Sequence, residues 1–483
     1  MALSIGARPL PRPLRVLGGR LLGALLIIGI GVLIGVQYMA PDKRVLAVMA
    51  AVIIAGIAWR LDTLTGLGLL ILAIPYPRGT VFGSTNFAFI LLLVLIWSLR
   101  VTQRLAPRPR GTPVDFAIAG FVAANIVSFY NVVDARTLGL ALQNTILFAA
   151  CLVVFYMIVS NVRTNADLAR LHVFQAISIA TICLLAVFEL NHPGGSFIPG
   201  WIEFRNTVGT EFNTRNVRVG GPFFDFELLS EFTALSSLLL TFMILRTRST
   251  YRRVALGLVL LLDIFVLFAA VTRGGIIALT VALAYLLYRV RRRVRIVPLT
   301  MIGASVAALA WIMNFYVSHF TRSGNVAARF GETHFIGLVP DDRLLAWKDG
   351  WNRFLEHPLI GHGPYYSIRT GTHVWYWPHN GYLYVANLFG LFGLTFYLVL
   401  LVLLLRLSSR GGDDLRDPSY SRAFLPIASA QIVLFVVDQV KIDYLRNPIY
   451  PFEVWIMCAM LVSAYQIAFP TRAGEPARVP AAA

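Results

Sequence analysis

Charged residues and cysteines are both scarce in this sequence of 483 residues. Only 14% of the residues are charged, whereas about a quarter are charged in a typical soluble domain. The three cysteines, Cys151, Cys183 and Cys458, all lie in apolar runs, which argues against a disulfide framework and against a zinc site. These absences exclude a soluble enzyme and a small disulfide-rich secreted protein.

Long apolar runs are present along the whole chain, and an α-helix of about 20 residues is needed to cross a bilayer. The first run, LLGALLIIGIGVLIGVQYM, is too long for the core of a signal peptide and lacks a clear cleavage site, so we interpret it as a membrane helix. Candidate spans begin near Leu21, Val45, Thr63, Asn86, Pro113, Leu138, Leu168, Leu228, Val254, Gly274, Ile296, Asn380, Ala423 and Ile449. The sequence predicts an all-α polytopic membrane protein with about 12 to 14 transmembrane helices.

The positive charge lies mainly between alternate apolar runs, in clusters such as RVTQRLAPRPR, RTRSTYRR and RVRRRVR. Because short loops rich in Lys and Arg stay in the cytosol, this asymmetry predicts that both termini are cytosolic. The net charge of +18 therefore indicates topology, with a contribution from anionic membrane lipids, and argues against binding of nucleic acid.

This topology places two long loops on the outer side. They divide the chain into N-terminal transmembrane helices (1–190), a first periplasmic loop (191–227), transmembrane helices with the Arg273 turn (228–315), a second periplasmic loop (316–378), and C-terminal transmembrane helices with a cytosolic tail (379–483). Loops of this length are usually functional or disordered, and both hold too many aromatic residues for disorder.

The second loop contains an amphipathic helix, DDRLLAWKDGWNRFLEHP, which is opened by Pro340-Asp341 and closed by His357-Pro358. Its apolar residues fall on one face at helical spacing: Leu344, Trp347, Trp351, Phe354 and Leu355. We expect this helix to lie along the outer membrane–water boundary, with its tryptophans toward lipid or toward the bundle.

Three residues are candidates for chemistry on this outer side. Arg273 stands in a short apolar turn, Arg343 lies one turn before Trp347, and His379 lies at the mouth of a membrane helix. Two guanidinium groups would hold an anionic group such as a phosphate, and a histidine beside them could accept a proton near neutral pH. Gly274, with its glycine neighbour, would let a substrate approach the backbone closely.

Structural explanations stay open for each of these residues. His379 could simply meet lipid headgroups, with Asn380 capping the helix. Arg273 could anchor to lipid phosphate, and Arg343 could pair with a neighbouring aspartate of its own helix.

Several other residues could contact a substrate, although each could equally be an ordinary loop residue. His362 and Tyr376 lie near His379 in sequence and could serve the acceptor, while Arg215 and Arg218 could add to a surface for phosphate or an acidic sugar. Asp263 precedes Arg273 by about 15 Å along a helix, too far to share its site, so we interpret this carboxyl as a buried polar contact between helices.

The order of these motifs resembles the O-antigen ligase and polymerase superfamily. TRGG opens a membrane helix, an Arg stands one turn before a Trp in an outer helix, HPLIGHGP follows, and HN precedes Gly390, eleven positions after the His. The resemblance covers about residues 220–404. Two features depart from it: the family's ligases usually have Leu at the position of Trp347, and they have about twelve spans.

The resemblance implies an inverting glycosyltransferase of the bacterial inner membrane that acts at the periplasmic face without metal or cofactor. Its donor would be a glycan linked to undecaprenyl pyrophosphate, and its acceptor the lipid A core or another lipid-linked glycan. Arg273, Arg343 and His379 match the essential residues of the family. Asn380, Trp347, Gly274, His362, Tyr376 and Arg215 complete the predicted substrate-binding set.

A transporter or flippase of polysaccharide or lipid-linked glycan is the alternative from another functional class. Such a protein should keep ionisable residues near the bilayer midplane, with helices broken by Gly or Pro in symmetric pairs. Here the Arg and His candidates cluster at one face and no internal repeat is visible, which favours the enzyme. A structural subunit of an export complex would not need His379.

Overall fold

The computed structural model describes residues 62–79, 84–192, 195–198, 202–203, 218–291, 311–319, 326–331, 335–336, 339–365, 369–370, 373–374, 378–411 and 414–470. Its α-helices are α1 (Thr63–Ala73), α2 (Thr85–Thr102), α3 (Asp115–Ser128), α4 (Ala135–Asn161), α5 (Asn165–Asn191), α6 (Phe226–Arg246), α7 (Thr250–Ala269), α8 (Arg273–Val290), α9 (Val326–Gly331), α10 (Asp341–Glu356), α11 (Gly381–Ser409), α12 (Tyr420–Asp438) and α13 (Tyr450–Ala468). Residues 311–319 are also helical.

The β-structure of the described residues consists of three short antiparallel pairs. They are β1 (Ser196–Ile198) with β2 (Ile202–Glu203), β3 (Phe335–Ile336) with β4 (Val339–Pro340), and β5 (Arg369–Thr370) with β6 (His373–Val374). All three lie in the segments predicted to be the long loops. The protein is thus all-α in its architecture, as predicted.

Eight of the described helices are long and apolar enough to cross a membrane: α2, α4, α5, α6, α8, α11, α12 and α13. The chain is therefore a multi-pass membrane protein. Helix α1 has only 11 residues, about 16 Å, so it does not cross a hydrocarbon core of about 30 Å by itself. The spans predicted near Leu21, Val45 and Ile296 lie outside the described residues.

Helices α6 and α13 form the most enclosed part of the bundle, since 83% of the apolar window of each is buried. One polar group inside the bundle joins three helices. Asp263 of α7 is fully buried and accepts hydrogen bonds from Ser237 (2.8 Å) and Cys183 (3.6 Å). This contact between three helices agrees with the interpretation of Asp263 made from the sequence.

Helix ends at one side of the bundle, which we call the site face, carry the predicted functional residues. This side holds Glu227, Arg273, His379 and Arg446. The opposite ends are rich in arginine, and these arginines cap carbonyl groups there: Arg289 donates to the carbonyl of Gly411 at 3.1 Å. The arginine-rich helix ends and the site-face helix ends thus alternate along the chain, in the same order as the basic and non-basic loops predicted from the sequence.

Helix α11 is broken at Gly390, where the backbone adopts φ 65° and ψ −167°. The segment 357–364, HPLIGHGP, docks into this break through backbone hydrogen bonds. These run from Leu391 N to Pro358 O (2.8 Å), Phe392 N to Leu359 O (3.2 Å), His362 N to Asn387 O (2.9 Å) and Gly363 N to Leu388 O (3.1 Å). A side chain at Gly390 or at Gly361 would collide with the backbone of the other segment.

Helix α10 spans the residues predicted for the amphipathic helix and packs against the part of α11 that precedes Gly390. Asn387 of α11 donates its side-chain amide to the carbonyl of Gly350 at 2.9 Å. The predicted apolar face is divided: Phe354 is buried against the bundle, whereas Trp351 and Leu355 are each 54% exposed. This packing fixes the orientation of Arg343, in the first turn of α10.

Candidate active site

Glu227, in the first turn of α6, is the centre of the site. Its Oε1 lies 2.6 Å from Nη2 of Arg343, and its Oε2 lies 3.1 Å from Nη2 of Arg446 and 3.4 Å from Nδ1 of His379. The residue is only 7% exposed. One buried carboxylate therefore brings together side chains from α10, from the residue pair before α11, and from the loop between α12 and α13.

His379 is positioned by an unusual backbone. Its φ is 45°, in the left-handed region, which costs a non-glycine residue about 1–2 kcal/mol. The next residue, Asn380, caps α11 by accepting a hydrogen bond from Leu383 N at 3.0 Å. The side chain of His379 is 36% exposed, so the ring faces both Glu227 and the exterior. The capping role considered for Asn380 is thus present, and it orients His379.

Arg343 reaches away from its own helix. Its Nη1 donates to the carbonyl of Lys441, and its Nη2 forms the ion pair with Glu227. The guanidinium is held by two partners that come from α6 and from the loop after α12. These contacts use two of its five N–H groups, and the side chain is 17% exposed.

Arg446 is a residue that the sequence reasoning missed. It ends a short 3₁₀ turn, and its Nη2 lies 2.6 Å from Asp225 and 3.1 Å from Glu227, while its Nη1 lies 3.0 Å from His379 Nδ1. Its Nε is 3.6 Å from Asp443. Like Arg273, it stands in a short loop at the site face, and that signal could have identified it.

Burial and charge act in opposite directions on this cluster. Burial lowers the pKa of Arg446, but the carboxylates of Asp443, Asp225 and Glu227 outweigh that effect and raise the pKa above its usual range. Burial raises the pKa of Asp443 to about 6, although Arg446 opposes the shift. Arg446 is therefore a permanent positive charge beside His379.

Arg273 is the first residue of α8 and is half-buried. The space beside Gly274, which we expected to be open to a substrate, holds the side chain of Lys441. The Nζ of Lys441 lies 3.2 Å from Oδ1 of Asp438. Because the carbonyl of Lys441 also binds Arg343, this one residue contacts both segments that carry the predicted arginines.

Arg218 holds the short turn that precedes Arg273. It donates to the carbonyl of Val271 at 3.1 Å and to the hydroxyl of Thr272 at 3.3 Å, and its guanidinium lies 3.3 Å from the ring centroid of Phe226. Arg218 therefore supports the backbone of the site.

The other predicted substrate-binding residues differ in where they lie. His362 donates from Nε2 to the carbonyl of Arg353 at 2.7 Å, and burial lowers its pKa to about 4, so it stabilises the docked segment as a neutral ring. Trp347 is half-buried on α10, one turn after Arg343. Tyr376 and Arg215 lie outside the described residues.

A second polar layer lies one helical turn deeper than Glu227. Glu231 is fully buried and accepts hydrogen bonds from Tyr450 (2.8 Å) and Gln439 (3.1 Å). The carbonyl of Gln439 also accepts from Gly381 N at 2.7 Å. This layer fixes the loop of Arg446 against the start of α11, and hence against His379.

Comparison with protein-family models matches residues 256–398 to the family described as O-Antigen ligase. Comparison with curated proteins gives no match. The matched segment contains Arg273, Arg343 and His379, whereas Glu227 and Arg446 lie on either side of it.

Proposed function

We propose that this chain transfers a glycan from an undecaprenyl pyrophosphate carrier to an acceptor hydroxyl, a proposal supported by the match of residues 256–398 to the O-Antigen ligase family. The reaction takes place at the periplasmic face of the bacterial inner membrane. The observation that carries this proposal is the meeting of Arg343 and His379 on Glu227, at the end of the apolar bundle that also holds Arg273.

The location of the site suits a lipid-anchored donor. The polyprenyl tail would stay in the bilayer, and the pyrophosphate would lie at headgroup depth, where the outer ends of α6, α8 and α11 meet. The arginine-rich opposite face supports an orientation in which the site is periplasmic and both termini are cytosolic, since short basic loops stay in the cytosol.

Arg273 and Arg343 have the charge needed to bind the pyrophosphate. Guanidinium groups remain charged in a partly buried site and bind phosphate oxygens bidentately. Arg343 keeps N–H groups beyond those used by Glu227 and Lys441, so it can hold the donor without leaving its carboxylate. Their positive charge is needed most when the sugar–oxygen bond breaks.

His379 acts as the general base in the proposed step. The acceptor oxygen attacks the anomeric carbon, the electron pair of the breaking carbon–oxygen bond passes to the pyrophosphate, and the acceptor proton passes to Nε2 of His379. Attack opposite the leaving group inverts the anomeric centre. For Nε2 to be free, the ring proton must lie on Nδ1, where Glu227 Oε2 can accept it and offset the imidazolium charge.

The step as written needs no metal or cofactor. Within the part of the chain that the structure describes, no group of three or more His, Cys, Asp or Glu side chains could hold a metal ion. Turnover by purified protein, with a labelled lipid pyrophosphate glycan as donor, should continue in the presence of a chelator. Loss of turnover on chelation would contradict this assignment.

A deletion strain tests the function and identifies the acceptor. Single repeats left on the carrier would identify a polymerase, whose acceptor is another lipid-linked glycan. Full-length polymer stranded on the carrier would identify a ligase that uses the lipid A core. An unchanged surface glycan in the deletion strain, or in a His379→Ala strain with normal protein level, would refute the enzymatic proposal.

A further inference from the structure

We propose that Arg446 is a positioning residue that keeps the proton of His379 on Nε2 in the resting site and releases the ring when the anionic donor binds. The inference rests on the proposed function, because it concerns the base of that reaction. Arg446 lies outside the segment that matches the ligase family, so the comparison assigns it no role.

The chemistry of the two side chains sets the tautomer. Arg446 Nη1 lies 3.0 Å from His379 Nδ1, and a guanidinium can only donate hydrogen bonds. Nδ1 must therefore be the acceptor, which leaves the proton of the neutral ring on Nε2. In this state the outward-facing nitrogen is a donor and cannot take a proton from a hydroxyl.

Glu227 requires the opposite tautomer. Its Oε2 lies 3.4 Å from the same Nδ1, and a carboxylate can accept a hydrogen bond only from a protonated nitrogen. Arg446 and Glu227 thus compete for one ring atom, and only the contact with Glu227 leaves Nε2 free to act as a base. Arg446 holds the resting state because its contact is the shorter of the two.

The hydrogen bond from Arg446 to His379 is also weaker than those to the carboxylates, because of the chemical nature of its acceptor. Its Nη2 is bound to the carboxylates of Asp225 (2.6 Å) and Glu227 (3.1 Å), which are charge-assisted partners, whereas the ring nitrogen is neutral. A pyrophosphate brought in by Arg343 is a stronger acceptor for Nη1 than the imidazole is. Donor binding then frees Nδ1 to take up a proton and donate a hydrogen bond to Glu227.

This arrangement makes the base available only when a donor is present. Without the donor, Nε2 carries its proton and does not activate water. With the donor bound, Nε2 loses its proton to solvent and Nδ1 takes one up from solvent, so the acceptor hydroxyl can lose its own proton to Nε2. The donor thus activates the base of its own reaction.

The decisive measurement is nitrogen NMR of the full-length protein with ¹⁵N-labelled histidine, in lipid nanodiscs. The His379 signal is identified by its loss in His379→Gln. We expect the Nε2–H tautomer in the protein without donor and the Nδ1–H tautomer after addition of undecaprenyl pyrophosphate. An Nδ1–H ring in the donor-free protein, or a tautomer unchanged by saturating undecaprenyl pyrophosphate, would overturn the proposal.

Arg446→Lys gives a second test, because Lys keeps the positive charge among the carboxylates but loses the planar fork that reaches two partners at once. In the same NMR measurement without donor, we expect a clear gain of the Nδ1–H tautomer of His379 in this variant, whereas a ring that stays entirely Nε2–H would contradict the proposal. Arg416→Lys, an exposed arginine of the opposite face, is the matched control. If Arg446→Lys does not fold, the tautomer of His379 in the unmodified protein, measured with and without donor, still tests the proposal.

The two proposals fail differently. Absence of both donor binding and transfer in the unmodified protein would refute the proposed function, whereas transfer by a protein whose resting His379 is already Nδ1–H would refute only the role of Arg446.

Discussion

Arg343 and His379 meet at the two oxygens of one carboxylate: Glu227 Oε1 lies 2.6 Å from Arg343 Nη2, and Oε2 lies 3.4 Å from His379 Nδ1. Glu227 thus fixes the position of the proposed phosphate-binding group, Arg343, relative to the proposed base, His379. This relationship makes the site sensitive to changes at Glu227 as well as at the two residues themselves.

Glu227→Gln should reduce transfer by about 10² to 10³. The amide keeps one acceptor oxygen, but its NH₂ group faces donors whichever way it turns, since Arg343 and Arg446 can only donate. Loss of one partner of a buried ion pair also lowers the free energy of unfolding, by about 3–5 kcal/mol at full burial. Turnover and thermal unfolding of purified protein measure the two effects. Asp134→Asn, the same change at an exposed helix cap, should alter neither.

Substitutions of Arg273 and Arg343 should separate charge from geometry. Lys supplies the charge without the planar fork, so Arg→Lys should keep part of the activity, whereas Arg→Ala should lose nearly all of it. Steady-state rates at several donor concentrations measure this. Lys348→Ala removes an exposed cation from the same helix as Arg343 and should leave the rate unchanged. Equal activity of the Lys and Ala variants would contradict a role for charge.

His379→Gln and His379→Ala should slow transfer by about 10² to 10⁴ and leave donor binding nearly intact. Neither side chain can take up the acceptor proton near neutral pH, but the arginines that bind the donor remain. Binding of a labelled lipid pyrophosphate glycan and turnover can be followed in one preparation. The assignment is wrong if His379→Gln weakens donor binding as much as Arg343→Ala does.

Gly390→Ala should destabilise the protein by at least about 1–3 kcal/mol. Its φ of 65° is unfavourable for alanine, and the added methyl group would collide with the backbone at Leu359. Gly257→Ala is the matched control, because nothing lies within 4 Å of a side chain at that helical position. There alanine should be neutral or slightly stabilising. Thermal unfolding in detergent compares the two, and equal midpoints would contradict the docking of residues 357–364 into α11.

His362 should make the protein less stable in acid. Its pKa is lowered to about 4 in the folded protein and is about 6.5 when unfolded, so between these values the unfolded chain binds more protons. Stability from this group is present above pH 6.5 and is lost as the pH falls toward 4. Asp443, with its pKa raised to about 6, acts in the opposite direction, because its destabilising charge is removed in acid. His362→Gln should therefore lose less thermal stability between pH 7 and pH 5 than the unmodified protein loses. An equal loss would contradict the prediction.

The positions of the membrane helices were largely predictable, because the backbone N–H and C=O groups of a segment inside a bilayer must form hydrogen bonds within that segment. A long apolar run meets this requirement by forming an α-helix. The convergence of Arg343 and His379 was predictable from the order of motifs. Glu227 was missed because, in the sequence, an acidic residue at the end of a long loop looks like an ordinary solvated residue in the first turn of a helix. The pairing of Arg446 with Asp225 was missed because the two residues are 221 positions apart, so only the placement of Arg446 in a short loop could have drawn attention to it.

The role of Gly390 illustrates the same limit. Its spacing from His379 is visible in the sequence, but the reason for a glycine there is the backbone of Leu359, which only the folded chain brings to it. Likewise, the pair Gly274 and Lys441 is separated by most of the C-terminal half, so no local motif indicated what fills the space beside that glycine.

The break in α11 also has a mechanical consequence. The bonds that close it reach both sides: the segment 357–364 bonds to Asn387 and Leu388 before Gly390 and to Leu391 and Phe392 after it. The segment therefore splints the break, and Asn387 extends this brace to Gly350 of α10. We expect α10 and the two parts of α11 to move as one body, so that the histidine and the arginine of the site keep their depth in the membrane as well as their distance from each other.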